Sequence, residues 1–435
     1  MHDFTGISND STASLPGWKR KAALFLSSQS ASLFGSMLVQ YAIIWYVTLS
    51  TQSGSVLTVS MLSAFLPQIA ISLFAGVWAD RYPRKLLIIG SDVLTAVSTL
   101  VLAAFFVFGY QELWLIFLVS GIRSVGAGIQ APAVNALLPQ IVPGDKLLKV
   151  NSINGTIQPF IMIAAPVTAG ALLSFSRLES IFFIDVITAI IAVSLLFWLH
   201  VPPLPGDAAV NAGYLVDLKA GFKYIRENRA ITTLFIFFAL VWFLVVPAAF
   251  LSPLLVARSY GEEVWKLTAN EVTFFAGSIL GGAIMTAWGG FKNRFRTIAI
   301  SCFVWAVLFA ALGLTRSFTL YLVLMVLSGI PMPFLNVSTT TLLQEMVKGD
   351  MQGRVFGVQQ LIVSTVMPIG MLVFGPLADL MTVETLLVGT SALMAIPAAW
   401  LYMSRHAGGS NQDPKSAGSP TQPEARLDGS LEAAD

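Results

Sequence analysis

Long apolar runs alternate with short polar links along almost the whole chain. Twelve such runs lie near residues 20–49, 55–78, 86–109, 112–136, 151–174, 179–201, 230–256, 270–289, 297–314, 318–342, 356–378 and 383–403. Each is long enough, as a helix, to cross a hydrocarbon core about 30 Å thick. The pattern therefore predicts an all-α protein of twelve transmembrane helices in a lipid bilayer. The polar ends, 1–17 and 404–435, are rich in Ser, Gly, Pro and Asp and are expected to be disordered. The longest internal link, 202–229, opens with Pro202, Pro203 and Pro205. It then places Leu215, Leu218, Phe222 and Ile225 on one face, among Asp217, Lys219, Lys223, Arg226 and Glu227. This predicts an amphipathic helix on the membrane surface.

Composition agrees: 56% of residues are hydrophobic and 11% charged, against about 25% charged in soluble domains. The placement of charge then orients the chain. With both termini on one side, alternation puts 20 of the 25 basic residues on that side, four on the other and Arg123 inside a span. Positive links stay in the cytoplasm, so both termini are expected there. The basic start Trp18-Lys19-Arg20-Lys21 precedes a run too long for a signal-peptide core, which predicts an uncleaved first span. Cys302 is the sole cysteine, and His2, His200 and His406 lie far apart, so no metal site or cofactor is expected. No phosphate loop, H-E-x-x-H or nucleophile elbow is present, and neither an enzyme nor nucleic-acid binding is implied.

The chain also repeats itself. The segment Ala136–Asp145 matches Thr341–Asp350 at an offset of 205, which continues to Gly170 and Gly375. Ser120-Gly121-Ile122 matches Ser328-Gly329-Ile330, and Trp78 matches Trp288 at offset 210. Two parallel six-span halves, 18–201 and 230–403, joined by the link 202–229, suit a transporter whose small-molecule substrate binds between halves that rock.

Several residues inside this frame can carry chemistry. Arg123 is a full charge in mid-span, either a proton-coupling group or a structural arginine paired inside the bundle. Asp92 and Asp185 are the carboxylates better placed to exchange protons, or else structural acids at a helix end or paired with arginine, whereas Glu271 and Asp379 fall at span ends. Gln29, Ser32, Ser36 and Gln40 share one face of the first span, and Gln158, Asn336 and Gln359 add uncharged polar points. These either line a cavity for a bulky, mostly apolar cargo or pack between helices. In the link after span two, Asp80, Arg81, Arg84 and Lys85 are placed either to latch the halves, with Asp145 or Glu345 as partners, or only to hold the link inside. Gly76 is expected to allow close helix packing.

The link Gly76-x-x-x-Asp80-Arg81-x-Pro83-Arg84-Lys85 resembles the signature loop of the major facilitator superfamily, with Pro83 where glycine is usual. The second half has a reduced copy, Trp288–Arg294, without the Asp. The resemblance implies that Asp80 contacts the amino end of span eleven when the carrier faces outward. Arg123 resembles the span-four arginine of drug/proton antiporters. Ala165-Pro166-Val167-Thr168-Ala169-Gly170 resembles their fifth-span motif, with Pro166 bending the helix. Gly121–Gly126, Ala131–Ala136, Phe183–Val186 and Gly353–Phe356 are similar to the macrolide-efflux and siderophore-exporter branch. The resemblance implies a monomeric, proton-driven exporter of an amphipathic small molecule in a bacterial inner membrane. A nutrient importer on the same fold and a non-transporting sensor or scaffold are the alternatives.

Overall fold

The computed structural model describes residues 17–201 and 214–406; the expectations for 1–16, 202–213 and 407–435 lie outside the described residues. The first half comprises α1 (Trp18–Thr51), α2 (Gly54–Arg81), α3 (Arg84–Val107), α4 (Leu113–Ile141), α5 (Gly144–Phe175) and α6 (Leu178–Phe197). After α7 (Tyr214–Glu227) the second half comprises α8 (Arg229–Phe250), α9 (Ser252–Ser259), α10 (Val264–Trp288), α11 (Arg294–Leu314), α12 (Phe318–Gly329), α13 (Pro331–Met346), α14 (Gly349–Leu380) and α15 (Val383–His406).

These helices make twelve candidate spans, because α8 with α9 and α12 with α13 each form one. Both interruptions have a proline in the first turn of the following helix, Pro253 and Pro331. Proline fits a first turn but removes the N–H that would continue the preceding helix. The outer surface is apolar as lipid requires, with Phe74, Val97, Ile190 and Leu372 exposed.

Several helices outrun their apolar runs. Helix α5 begins at Gly144 and α14 at Gly349, with Asp145 and Asp350 in their first turns, where a carboxylate complements the helix amino end. Helix α10 begins at Val264, six residues before the start expected at 270. Helix α7 is not simply laid on a membrane surface. Its Ile225 is buried, a β-carbon on its Gly221 would press the Arg354 carbonyl, and its Tyr224 hydroxyl accepts from Lys348 N–H at 3.3 Å. It is strapped to the start of α14.

The halves meet at one face only, where α2 meets α14 and α5 meets α10. Both contacts are a threonine hydroxyl seated on a glycine. A β-carbon at Gly375 would strike Thr58 Oγ1, and one at Gly170 would strike Thr268 Oγ1. Thr58 and Thr268 are themselves 210 positions apart, so the duplication supplies both contacts. Towards the opposite face the halves part. There α5 is exposed at most positions from Asn151 to Phe160, as expected of a helix with lipid on one side and a cavity on the other.

Candidate functional site

The mid-span charge of Arg123, on α4, is matched by Asp185, on α6. Arg123 Nη1 donates to Asp185 Oδ2 and to Thr99 Oγ1 of α3, and Thr99 Oγ1 donates to the same carboxylate oxygen at 3.0 Å. The two charged side chains are 11% and 3% exposed. Burial on this scale demands a partner for each charge, and this triad meets the demand with side chains from three helices. Arg123 also reaches the wall of a cavity of about 130 Å³, beside Ser36, Gln40, Gln68, Thr95 and Gln130.

Asp92 forms a second polar centre. Its Oδ1 accepts from Ser32 Oγ at 2.6 Å and from Gln130 Nε2 at 2.9 Å, while Oδ2 is buried without a partner. Ser32 is thus a hydrogen-bond donor to Asp92 rather than a residue of the cavity wall. Of the other polar points, Ser36 and Gln40 line the cavity with Arg123. The Gln29 amide nitrogen is buried and unpartnered. Gln158 and Asn336 are exposed, and Gln359 sits in a narrow cleft between α8, α13 and α14.

Glu271 corrects the reading that placed it at a span end. Counted from Val264, it lies two turns into α10. It lines a cavity of about 160 Å³ within the second half, with Trp242, Phe274, Trp305 and Tyr321, and a second of about 210 Å³ between the halves, with Gln40, Tyr41 and Trp45. Neighbouring Asn270 donates to its Oε1 at 3.2 Å and to Ser252 Oγ at 3.3 Å, and accepts from Tyr321 OH at 2.7 Å. Outside the spans, Lys266 bonds Glu263 at 2.7 Å and holds that carboxyl below the usual range.

Asp379 also exceeds its expected part. It reaches from α14 to the amino end of α2 in the other half, accepting from Gly54 N–H at 2.7 Å, Ser55 N–H at 2.9 Å and Ser53 Oγ at 2.9 Å. An acid at a helix amino end satisfies orphan N–H groups and meets the positive end of the dipole. Arg258 completes the seal, bonding Ala378 O at 2.5 Å, Asp379 Oδ1 at 3.2 Å and Gln52 O at 3.1 Å.

At the opposite face the expected pairs of the Asp80 loop with Asp145 and Glu345 are not made among the described residues. Asp80 is 68% exposed, with Arg84 3.9 Å away. Arg84 donates to Ala79 O at 3.0 Å and Ala136 O at 2.7 Å, and Lys85 to Phe197 O and Leu199 O at 3.0 and 2.9 Å. Both cations therefore cap carbonyls at helix carboxyl ends of their own half, a favourable place for positive charge. Asp145 pairs with Lys146, and Glu345 with Arg294. Arg294 donates to Gly289 O at 3.0 Å, so the reduced second copy of the loop keeps the capping arginine. A β-carbon at Gly76 would meet nothing within 4 Å, so the close packing expected of it is absent in this conformation. Arg81 is exposed. In α5, Ala165, Pro166 and Ala169 are buried, and Gly170 makes the contact with Thr268.

Comparison with known proteins agrees with the twelve-span fold. Residues 23–371 match the family model of the Major Facilitator Superfamily. Macrolide efflux protein A of Streptococcus pyogenes is 31% identical over 370 residues, covering 83% of this chain and 90% of that protein. Macrolide efflux protein A of Enterococcus faecalis is 31% identical over 327 residues, covering 73% and 100%. Among solved structures, a bacterial homolog of the human lysosomal transporter Spinster, inward-facing and unoccupied, superposes with a TM-score of 0.66 at 15% identity, covering 90% and 98%.

Proposed function

Because this chain belongs to the major facilitator superfamily, and is thus a membrane transporter and not an enzyme, we propose that it exports an amphipathic small molecule from a bacterial cytoplasm in exchange for protons. The observation that carries this reading is the buried Arg123–Thr99–Asp185 triad at the wall of a cavity, in a chain 31% identical to macrolide efflux proteins. A charge pair that breaks when Asp185 takes a proton is a two-state element that an ion gradient can drive. Asp92, with one carboxylate oxygen unpartnered, is the second proton-accepting group in this reading.

The charge bias supports a cytoplasmic position for the loop of Asp80. With the halves sealed at the other face, this reading makes the described conformation the loading one, open to the cytoplasm. In the outward-facing conformation Asp80 engages the amino end of α14, the counterpart of what Asp379 does for α2 here. Orientation has its own check. Cys302 is fully buried, so it leaves a silent background for thiol labelling. In intact cells an impermeant maleimide is expected to label Arg316→Cys and to spare Arg81→Cys; the reverse pattern would invert the topology.

Export is tested by accumulation of a labelled macrolide in efflux-deficient bacteria. Expression of the chain is expected to lower accumulation several-fold, and a protonophore to restore it. Unchanged accumulation would remove macrolides as cargo, and export that survives the protonophore would remove proton coupling.

A further inference from the structure

The cavity between α8, α9, α10, α11 and α12 holds a carboxylate that has no counter-ion among the described residues. Glu271 is its one acid, and its one hydrogen-bond partner among the described residues is Asn270. The basic side chains nearest in sequence are engaged elsewhere, Lys266 with Glu263 at 2.7 Å and Arg258 with Asp379 at 3.2 Å. The contrast with the first half is direct, since Asp185 there has Arg123. An intramembrane carboxylate is expensive and marks function unless paired.

Six aromatic side chains stand among the aliphatic residues of the wall. Trp242, Phe274, Trp305 and Tyr321 surround the space, and Trp305 and Tyr321 are held in place through Ser328 O at 2.8 Å and Asn270 Oδ1 at 2.7 Å. Aromatic faces attract a cation through their quadrupole, most strongly where water is excluded. Glu271 and Ala249 line both this cavity and the one between the halves, so the carboxylate borders the space where a larger apolar body would lie.

We propose that this cavity binds the substituted-ammonium end of a lipophilic organic cation, with Glu271 as counter-charge and Trp242, Phe274 and Tyr321 as the aromatic walls. This names the cargo class of the exporter proposed above and rests on that reading. Asn270 acts as a positioning residue, fixing the carboxylate against α9 and α12.

The test uses the purified full chain and no gradient, so it can fail while macrolide export holds, or hold while that export fails. Binding of benzyltrimethylammonium is followed by tryptophan fluorescence and compared with neopentylbenzene, which has the same shape with carbon in place of nitrogen. The wild type is expected to prefer the cation, Glu271→Gln to weaken cation binding about tenfold or more with the neutral probe unaffected, and Glu271→Asp to retain the preference. Thermal unfolding of each variant confirms that it is folded. Equal binding of both probes by the wild type, or equal cation binding by wild type and Glu271→Gln, overturns the proposal.

Discussion

Arg123→Ala is expected to abolish efflux and Asp185→Asn to do the same, while Arg123→Ala/Asp185→Asn is expected to fold better than Arg123→Ala alone yet still fail to transport. The two side chains are only 11% and 3% exposed. Removing one member of a buried ion pair strands the other charge, which costs roughly 3–5 kcal/mol. Removing both charges relieves that penalty, because the amide introduced by Asp185→Asn is still able to accept from Thr99. A purely structural pair would regain transport along with stability, whereas a coupling pair would not. Thermal unfolding and accumulation, measured on the same three variants, separate the two. Efflux by the stable double variant would remove Arg123 and Asp185 from the coupling mechanism.

The second large effect is expected at the seal. Gly375→Leu places a side chain where Thr58 Oγ1 and the Gly54 carbonyl now stand, and protein interiors do not yield by that much. Asp379→Ala removes the three bonds that cap α2 and the partner of Arg258. Loss of such a cap costs about 0.5–2 kcal/mol, enough to shift a two-state population several-fold. Spin labels at Arg177→Cys and Arg316→Cys, both exposed links of that face in different halves, report the separation. Gly375→Leu is expected to abolish the short-distance population and Asp379→Ala to reduce it. An unchanged distance distribution in Gly375→Leu would mean that the seal does not depend on this contact.

The twelve spans were legible because lipid forces a long apolar run for every crossing, and the two halves because their links still match at fixed offsets. Glu271 was hidden by a boundary. Hydropathy starts its span at 270, but the helix propagates from Val264 through Lys266, and a helix needs no apolar side chain to propagate outside the hydrocarbon. The period of α1 puts Ser32 on one face with Ser36 and Gln40, but its partner Asp92 belongs to α3, and no local period reveals which neighbour claims a hydroxyl. From sequence, Arg84 and Lys85 read either as partners for acids or as charges that only hold the link inside. The stronger claim came from carbonyls at or near helix carboxyl ends, where most of the acceptors are ones the helix leaves unsatisfied.

The two threonine-on-glycine contacts carry a consequence for ancestry. The first half offers Thr58 and Gly170, and the second offers Thr268 and Gly375, each threonine seated on the other half's glycine. Two copies of the first half alone would therefore present Thr58 to Gly170 twice, about a two-fold axis. Such an interface is self-complementary. A six-helix progenitor with this one pair of residues could have closed as a homodimer before its gene was joined to a second copy. The fused chain would then have been free to diverge, keeping the Arg123–Asp185 pair in one half and the unpaired Glu271 in the other.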